Sequence, residues 1–444
     1  MKKTPLGNLW RQVSDRPSRV VLFGYLSYVL LTWLLLCIPI TWQADSVSPL
    51  DNLFIATSAI STTGLVTVNT PDAYNFLGQF IIACAFQVGG LGYMTLGSFV
   101  ILARERDLSS KQLRVNETVF SLPDRFNVRT FIRHTIIFTA LIEILGVIGL
   151  YVAFSLEDTP NSLWAAIFHS ISAFCTAGFS IFPNSLVDFR GNFLVNTVVT
   201  ALSLFGAIGF IVLSDFWISL THKRQAITLT TKIILIATFS FISAGWVFLF
   251  FSDSSIAQLP LGERILAAGF QSMTAMTTVG FNTHPIGELA AAPVFLMVIL
   301  MIIGASPSGT GGGLKTTSIS AAFATVMASL RRQEYITFSG RQIPNSRVLS
   351  AFSALVFYLI MFLLGSIILL MVQSQAFEDV VFEVASALGT VGLSRGITGD
   401  LEPLGKIAII VLMFIGRVGP LTVGLALFNK SRRVVKLAKE DVAI

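Results

Sequence analysis

A four-residue pattern that could hold a cation occurs at four places in the sequence. The copies read TTGL at 62–65, TAGF at 176–179, TVGF at 278–281 and TVGL at 390–393. Glycine takes positive φ without a side-chain clash, so such a segment can leave helical geometry and turn its carbonyl oxygens in one direction. A ring of carbonyl oxygens replaces the hydration shell of a monovalent cation in ion channels.

The four tetrads belong to a longer internal repeat, F-x3-[ST]-A-x2-T-x-G-[LF], which aligns without a gap. The repeated residues before the tetrads are Phe54, Phe168, Phe270 and Phe382, then Ser58, Ser172, Thr274 and Ser386, then Ala59, Ala173, Ala275 and Ala387. One isolated tetrad is more often a simple turn or a helix-packing position. Four copies in register indicate four equivalent structural units with one shared purpose.

The elements that must position the tetrads are apolar. Hydrophobic residues make up 54% of the 444 residues and charged residues only 12%, against about 25% charged in soluble proteins. Eight runs with at most one charge are long enough to cross a bilayer, which takes about 20 residues. They are Val20–Gln43, Phe76–Ala103, Thr135–Leu156, Gly191–Ser214, Ile233–Ser252, Leu289–Leu314, Val348–Phe377 and Ile407–Phe428.

Only about a dozen helix-compatible residues precede each tetrad, too few to cross the bilayer. The sequence therefore predicts an all-α integral membrane protein of four covalently linked span–pore helix–span repeats around a pseudo-fourfold central pore. The predicted units are 1–103 with a cytoplasmic start, 104–220, 221–332, 333–429 and a basic tail at 430–444. Non-helical backbone at membrane depth must be buried in protein or line water, so the four loops should meet on one axis.

The basic residues set the orientation and argue against nucleic acid as the partner. Of the 30 Lys and Arg residues, 24 lie in five segments at alternate connections, namely 1–19, 103–133, 220–232, 331–347 and 430–444. Basic loops stay cytoplasmic, so both termini are predicted to be cytoplasmic. No nucleophile–base set or metal-ligand spacing occurs, so no enzyme activity is predicted. Glu143 lies within a span, and the sequence identifies no partner for it.

The third repeat contains an irregular stretch, GASPSGTGGGLKTTS at 304–318. It is not a phosphate-binding loop, because Leu314 separates the last glycine from the lysine. We interpret it as a gate below the tetrads; the alternative is a flexible kink with a packing role. The residues assigned to this gate are Gly304, Ser306, Gly309, Gly311, Gly312, Gly313, Lys315 and Arg417. Arg417 is a charge within a span, so it faces a cavity or is satisfied by backbone carbonyls.

With these features the sequence resembles the Trk/Ktr/HKT family of potassium transporters over nearly its whole length. The resemblance implies that the tetrads form a selectivity filter for K⁺ and that the 304–318 loop and Arg417 gate it. The implied filter residues are Thr62, Thr63, Gly64, Leu65, Thr176, Ala177, Gly178, Phe179, Thr278, Val279, Gly280, Phe281, Thr390, Val391, Gly392 and Leu393. Gly64 implies selectivity for K⁺, because relatives that prefer Na⁺ have serine there.

The short N-terminal segment makes the chain most similar to the membrane subunit of a bacterial Ktr uptake system in the cytoplasmic membrane. The resemblance implies a homodimer and a cytosolic RCK-type regulatory subunit that carries the nucleotide, since no connection here could hold a domain of about 100 residues. The basic tail could dock there or bind lipid. No covalent cofactor is expected, K⁺ is the substrate, and activation by Na⁺ stays open.

Two other transport mechanisms are alternatives to a channel-like K⁺ path. One is a K⁺/Na⁺ symporter of the Trk type, which these residues do not distinguish from channel-like flow. The other is a secondary transporter with inverted repeats, which is disfavoured because all four copies have the same polarity relative to the basic loops. A receptor or structural membrane protein would not need four such loops.

Overall fold

The structure is a computed structural model that describes residues 17–43, 46–92, 128–221 and 227–428. Within these ranges the chain is predominantly helical. Its strands there are β1 (Thr337–Phe338) and β2 (Arg341–Gln342), which form one antiparallel hairpin. The predicted N-terminal cytoplasmic segment, most of the basic connection 103–133 and the basic tail 430–444 lie outside the described residues.

The helices follow the fourfold repeat. Each repeat begins with a long apolar helix: α1 (Pro17–Leu36), α5 (Val128–Leu156), α9 (Leu229–Ser252) and α14 (Asn345–Val372). A short helix follows: α2 (Pro49–Ile60), α6 (Ser162–Phe174), α11 (Leu261–Thr277) and α15 (Phe377–Gly389). A third helix comes after the tetrad: α4 (Phe76–Leu91), α7 (Phe193–Ile208), α12 (Ala291–Ile303) and α16 (Pro403–Val418).

Shorter segments complete the described fold. Three helices continue the third helix of their repeat: α8 (Phe210–Thr221), α13 (Thr316–Leu330) and α17 (Pro420–Phe428). Two one-turn helices, α3 (Thr70–Ala73) and α10 (Ser254–Ala257), lie in connections. Three 3-10 turns occupy Pro39–Thr41, Val187–Phe189 and Ile286–Glu288.

Among the described helices, four are long and apolar enough to cross a membrane by length and composition, and these are α1, α5, α9 and α14. The pair α7 and α8 would make a fifth, bent by 89° at Gly209. Between 22% and 33% of the most apolar window of the four long helices is buried in the protein. Large apolar side chains such as Leu349 and Met371 on α14 are 70% and 82% exposed, which suits contact with lipid. The count of eight spans stays a prediction.

The short helices lie in the protein core. Their repeated phenylalanines, Phe54, Phe168, Phe270 and Phe382, are at most 3% exposed. The helix α2 shows how such a helix starts: Ser48 is its N-cap and accepts a hydrogen bond from the Asp51 backbone N–H at 3.1 Å, with Pro49 in the first turn. Serine caps and first-turn proline and acid are favourable at a helix N-terminus.

The third helix of every repeat ends at a glycine with positive φ. These glycines are Gly92, Gly209, Gly304 and Gly419, with φ between 68° and 91°. The sequence analysis expected one broken segment, in the third repeat. The structure shows a break in the second, third and fourth repeats, and in the first repeat the described part of the helix also ends at such a glycine. In three repeats the glycine at which the helix ends is the second of a G-x-x-G pair, which in sequence looks like a helix-packing motif. A glycine with φ > 0 is a common helix terminator.

Candidate functional site

The turn after each short helix follows the same backbone path in the four repeats. The tetrad threonine has a left-handed backbone, with φ between 49° and 60°, and the glycine has φ between 67° and 97°. The N–H of the residue between them donates to the carbonyl oxygen of the repeated serine or threonine, at 2.8 to 3.2 Å. A β-branched residue with φ > 0 is strained, so these hydrogen bonds hold a turn that the residue itself disfavours.

The repeated serine or threonine also fixes the turn through its hydroxyl group. Ser58, Thr274 and Ser386 accept a hydrogen bond from the N–H of the tetrad glycine in their own repeat, at 3.0, 3.1 and 3.0 Å. Ser172 donates instead to the Phe179 carbonyl oxygen at 2.9 Å. Sequence analysis recorded that this position recurs but assigned it no role; its fixed distance before the glycine was the available signal.

The four tetrads close into one ring. A Cβ atom on Gly64 would lie 2.5 Å from the Ala177 carbonyl oxygen, and one on Gly178 would lie 2.6 Å from the Val279 carbonyl oxygen. In the same way Gly280 abuts the carbonyl of Val391, and Gly392 abuts the carbonyl of Thr63. Each loop therefore touches the next, and the fourth touches the first. The carbonyl groups that precede the glycines lie where a side chain on the neighbouring glycine would be.

A cavity opens on one side of this ring. Its volume is about 460 Å³, and the four tetrad glycines form its floor. The residues two positions after the glycines, Val66, Ser180, Asn282 and Ser394, also line it. Among the described residues that line this cavity, which we call the vestibule, none is charged. A cation in the vestibule would therefore meet hydroxyl, amide and carbonyl oxygens rather than carboxylates.

The other side of the ring is covered by residues 304–315 of the third repeat, the part of the predicted gate at 304–318 that precedes α13. We call residues 304–315 the intramembrane loop, after the location predicted for them from the sequence. The Thr62 hydroxyl donates to the Thr310 carbonyl oxygen at 3.3 Å. The Thr176 hydroxyl donates to the Cys175 carbonyl oxygen at 2.8 Å and shares this proton with the Thr310 hydroxyl at 3.2 Å. The N–H of Gly312 donates to the Thr278 hydroxyl at 3.1 Å. Three tetrad threonines thus bond to the loop. A Cβ on Gly312 would collide with the fourth, Thr390.

The intramembrane loop is also attached to the break in the second repeat. The N–H groups of Ser306 and Thr310 donate to the carbonyls of Ala207 and Gly206, both at 3.0 Å. In return the Phe210 N–H donates to the Ser308 carbonyl at 3.2 Å. The backbone groups freed where α7 ends therefore find their partners in the loop, so these buried polar groups are hydrogen-bonded.

The two basic residues assigned to the gate lie at the same level. Arg417, in the last turn of α16, donates to the carbonyl oxygens of Thr310 and of Gly89, and to that of Gly90 at 3.2 Å. The Lys315 ammonium donates to the carbonyls of Gly311 and Gly312 at 2.6 and 3.2 Å. Arg417 therefore ties the loop to the first repeat, while Lys315 holds the loop to itself.

Residues that sequence analysis missed complete this region. Thr310 is the centre of the loop's contacts, but the gate predicted from the sequence included the glycines around it and not Thr310 itself. Glu143, left without a partner, accepts a hydrogen bond from the Gln87 side-chain amide at 3.1 Å. The thiol of Cys175, next to a tetrad threonine, donates to Gln87 at 3.0 Å. Gln87 carries no sequence signal that would have paired it with Glu143.

Comparison with known proteins identifies related chains. The family described as TrkH, cation transport protein, matches residues 32–434. The Ktr system potassium uptake protein B of Vibrio alginolyticus is 32% identical over 433 residues, which cover 96% of this chain and 94% of that protein. The potassium/sodium uptake protein NtpJ of Enterococcus hirae is 32% identical over 427 residues, covering 94% of each.

A solved structure shares the fold. The crystal structure of the potassium transporter TrkH from Vibrio parahaemolyticus superposes with a TM-score of 0.73 and covers 92% of this chain and 84% of that one. The two sequences are 19% identical, so the likeness concerns the architecture of the chain.

Proposed function

Because this chain belongs to the TrkH family of cation transport proteins, we propose that it carries K⁺ across the bacterial cytoplasmic membrane along the axis of the tetrad ring. It is a transporter and not an enzyme. The observation that carries the proposal is the closed ring of glycine and carbonyl groups between a vestibule without charged residues in its described lining and the intramembrane loop. The relatives named for potassium uptake at 32% identity support K⁺ as the substrate.

The proposed architecture has eight spans around this axis. The four long helices are the first spans of the repeats, and the third helices with their continuations are the second spans. Both termini are then cytoplasmic, and α2, α6, α11 and α15 enter from the outside. Their C-terminal ends reach the ring, where the negative end of each helix dipole favours a cation. The vestibule is the outer entrance, and the repeat boundaries are those predicted from the sequence.

The proposed filter consists of the tetrad residues, with carbonyl oxygens as the ligands that replace water around K⁺. Three observations support this role: the close contact between each glycine and the next carbonyl, the absence of charged groups from the described vestibule lining, and the hydrogen bonds that fix each turn. Two hydroxyl groups, those of Thr62 and Thr176, donate to the intramembrane loop, so the loop competes with the ion for that end of the filter.

The proposed gate is the intramembrane loop with Arg417 and Lys315. In the conformation described, the loop covers the inner side of the ring. Opening requires that Thr310 leave its contacts with Thr62, Thr176 and Arg417. Cation flow is then controlled by the equilibrium between two positions of this loop, and the many glycines make a second backbone path accessible.

Regulation is proposed to come from other chains. The names of relatives refer to a Ktr system, which supports a complex of more than one component. We place the nucleotide on a cytosolic RCK-type subunit, docked on a homodimer of this chain, with the basic tail as a docking or lipid-binding segment. A second candidate function is K⁺/Na⁺ symport of the Trk type, favoured by the relative that is named a potassium/sodium uptake protein.

Growth of a potassium-uptake-deficient bacterium tests the function. We expect the chain, expressed with a Ktr regulatory subunit, to restore growth on low K⁺, and membrane vesicles to take up ⁸⁶Rb⁺. Uptake that needs Na⁺ in the medium would favour symport or Na⁺ activation, and equal uptake without Na⁺ would favour simple K⁺ flow. Vesicles that contain the protein in normal amounts but take up no more Rb⁺ than empty vesicles would contradict the proposal.

A further inference from the structure

One side-chain position behind the four loops has a different chemistry in every repeat. It directly follows the repeated phenylalanine and is occupied by Ile55, His169, Gln271 and Glu383. All four residues are buried with no exposed surface. We call these four residues the rear ring. The backbone of the tetrads repeats four times, whereas the rear ring is apolar, imidazole, amide and carboxylate in turn.

The rear ring touches the segments that leave the filter. His169 Nε2 is 2.9 Å from the Ser180 hydroxyl, and the Gln271 amide donates to the His284 carbonyl at 2.7 Å. The Ser394 hydroxyl donates to a carboxylate oxygen of Glu383 at 2.9 Å. Ser180 and Ser394 line the vestibule. His169 and Glu383 of the rear ring are therefore each separated from the vestibule by a single side chain.

Glu383 has hydroxyl partners and no cation partner in the described part of the chain. Thr398 donates to its second carboxylate oxygen. The nearby Arg395 is taken by other carboxylates, at 2.5 Å from Asp379 and 3.2 Å from Glu378. The Glu383 carboxyl group thus has no paired cationic side chain among the described residues, and it lies next to a vestibule whose described lining carries no charge of its own.

Hydrogen bonding accounts for only part of the preference for a carboxylate at this place, although both oxygens of Glu383 accept from hydroxyl groups and an amide offers one acceptor oxygen. The third repeat has glutamine in the same register, so a neutral amide of the same length fits behind a loop of this kind. Burying a carboxylate without a cation partner costs far more than burying an amide. A buried ionisable group beside a site where an ion would bind points to an electrostatic role at that site.

We propose that Glu383 is a positioning residue that sets the affinity of the outer filter for its cation. Its negative charge attracts the ion from behind the fourth loop. Its carboxylate also accepts the hydrogen bond from Ser394 and so holds this side chain at the vestibule wall. The affinity therefore comes largely from one of four otherwise similar walls. This inference rests on the proposed function, since it needs a cation in the filter.

The test is the concentration dependence of ⁸⁶Rb⁺ uptake by vesicles that contain the chain with its regulatory subunit. Glu383→Gln keeps the length of the side chain and one acceptor oxygen but removes the charge. We expect the Rb⁺ KM to rise about tenfold, as for loss of one charge at close range, while Vmax stays within about twofold. Glu383→Asp keeps the charge and should stay nearer to the wild-type KM than Gln does.

Two comparisons separate this inference from its alternatives. Glu378→Gln removes a half-exposed charge of the same helix, and we expect it to leave the Rb⁺ KM unchanged. A wild-type KM in Glu383→Gln, or a loss of Vmax with unchanged KM, would overturn the inference. If the Gln variant does not reach the membrane, an Asp variant with a KM as high as that of Glu383→Ala would overturn it. No Rb⁺ uptake by the wild-type chain would instead refute the proposed function.

Discussion

The Thr310 hydroxyl lies 3.2 Å from the Thr176 hydroxyl and donates to the Phe174 carbonyl oxygen at 2.9 Å. One side chain of the intramembrane loop thus contacts both the carbonyl group at the end of the short helix α6 and the threonine of the following tetrad. The carbonyl end of a helix is where partial negative charge collects. On the proposed ion path, a cation would pass the place where the Thr310 hydroxyl is hydrogen-bonded.

Replacing Thr310 with valine should open the path. Valine has the same shape but neither donates to Phe174 nor accepts from Thr176, so the covered conformation loses contacts of about 1 kcal/mol each. We expect basal ⁸⁶Rb⁺ uptake without the regulatory subunit to rise about thirtyfold, the factor that corresponds to the loss of two such contacts. Thr325→Val, whose hydroxyl bonds only within α13 at 2.8 Å, is the matched control. Uptake equal to that of the control would contradict the gate.

Replacing Arg417 with glutamine should act in the same direction. It removes the charge that ties Thr310 to Gly89 and Gly90 and that repels a cation below the ring. We expect Rb⁺ uptake to increase severalfold and its dependence on the regulatory subunit to weaken. Arg264→Gln is the control, because Arg264 also donates to a carbonyl, that of Phe250 at 2.5 Å, but far from the loop. Lower uptake in Arg417→Gln alone would show that the arginine supports transport rather than closure.

Replacing Gly64 with serine should impair selectivity. The Gly64 backbone has φ of 93°, and a Cβ would lie 2.5 Å from the Ala177 carbonyl oxygen, so that oxygen must move. We expect Na⁺ to compete with Rb⁺ about tenfold better than in the wild-type protein, because a displaced carbonyl no longer fits K⁺. Gly262→Ser, at a position with free space around it, should leave competition by Na⁺ unchanged. Unaltered Na⁺ competition in Gly64→Ser would argue against its place in the filter.

Acidification should destabilise the outer end of the third repeat through His284. Its side chain is 2% exposed. Burial and, to a smaller extent, the Arg190 charge lower the pKa of His284 below its ordinary 6.5, while the Glu288 and Asp253 charges oppose this shift. A lowered pKa in the folded state means that stability is complete above pH 6.5 and falls as the pH decreases below it.

Thermal unfolding in detergent checks this expectation. Between pH 7 and pH 5 the wild-type Tm should fall by about 2 °C more than that of His284→Gln, whose amide can still reach the Ser255 hydroxyl that lies 2.8 Å from the imidazole. Above pH 7 the two curves should run parallel. Parallel curves over the whole range would mean that His284 does not titrate differently on unfolding.

The repeat made much of the molecule predictable. Four phenylalanines, four alanines and four threonine–glycine pairs at fixed offsets require equivalent surroundings, and the structure brings the four tetrads into one ring. The family and the helical character are confirmed by the comparisons. The eight spans, the filter and the gate stay predictions.

The missed features share a physical cause: each depends on contact between residues far apart in sequence. The third helices end at Gly92, Gly209 and Gly419, but a glycine that ends a helix and one that lets helices approach look the same in sequence. The first glycine of each pair does serve close approach, since a Cβ on Gly89 or Gly206 would collide with the last carbonyl of the neighbouring short helix. Likewise, nothing local pairs Gln87 with Glu143.

The contact of Gly392 with the Thr63 carbonyl makes the last repeat a neighbour of the first. Lys406 and Asp51 pair across the same seam at 2.7 Å, and Arg19 donates to the Ala426 carbonyl at 3.1 Å. The four repeats therefore follow one another around the ring, and the ring does not require that the chain start at the first repeat. A circularly permuted gene that joins the fourth repeat to the first and begins elsewhere should encode the same pore, whereas exchanging the order of two repeats should not.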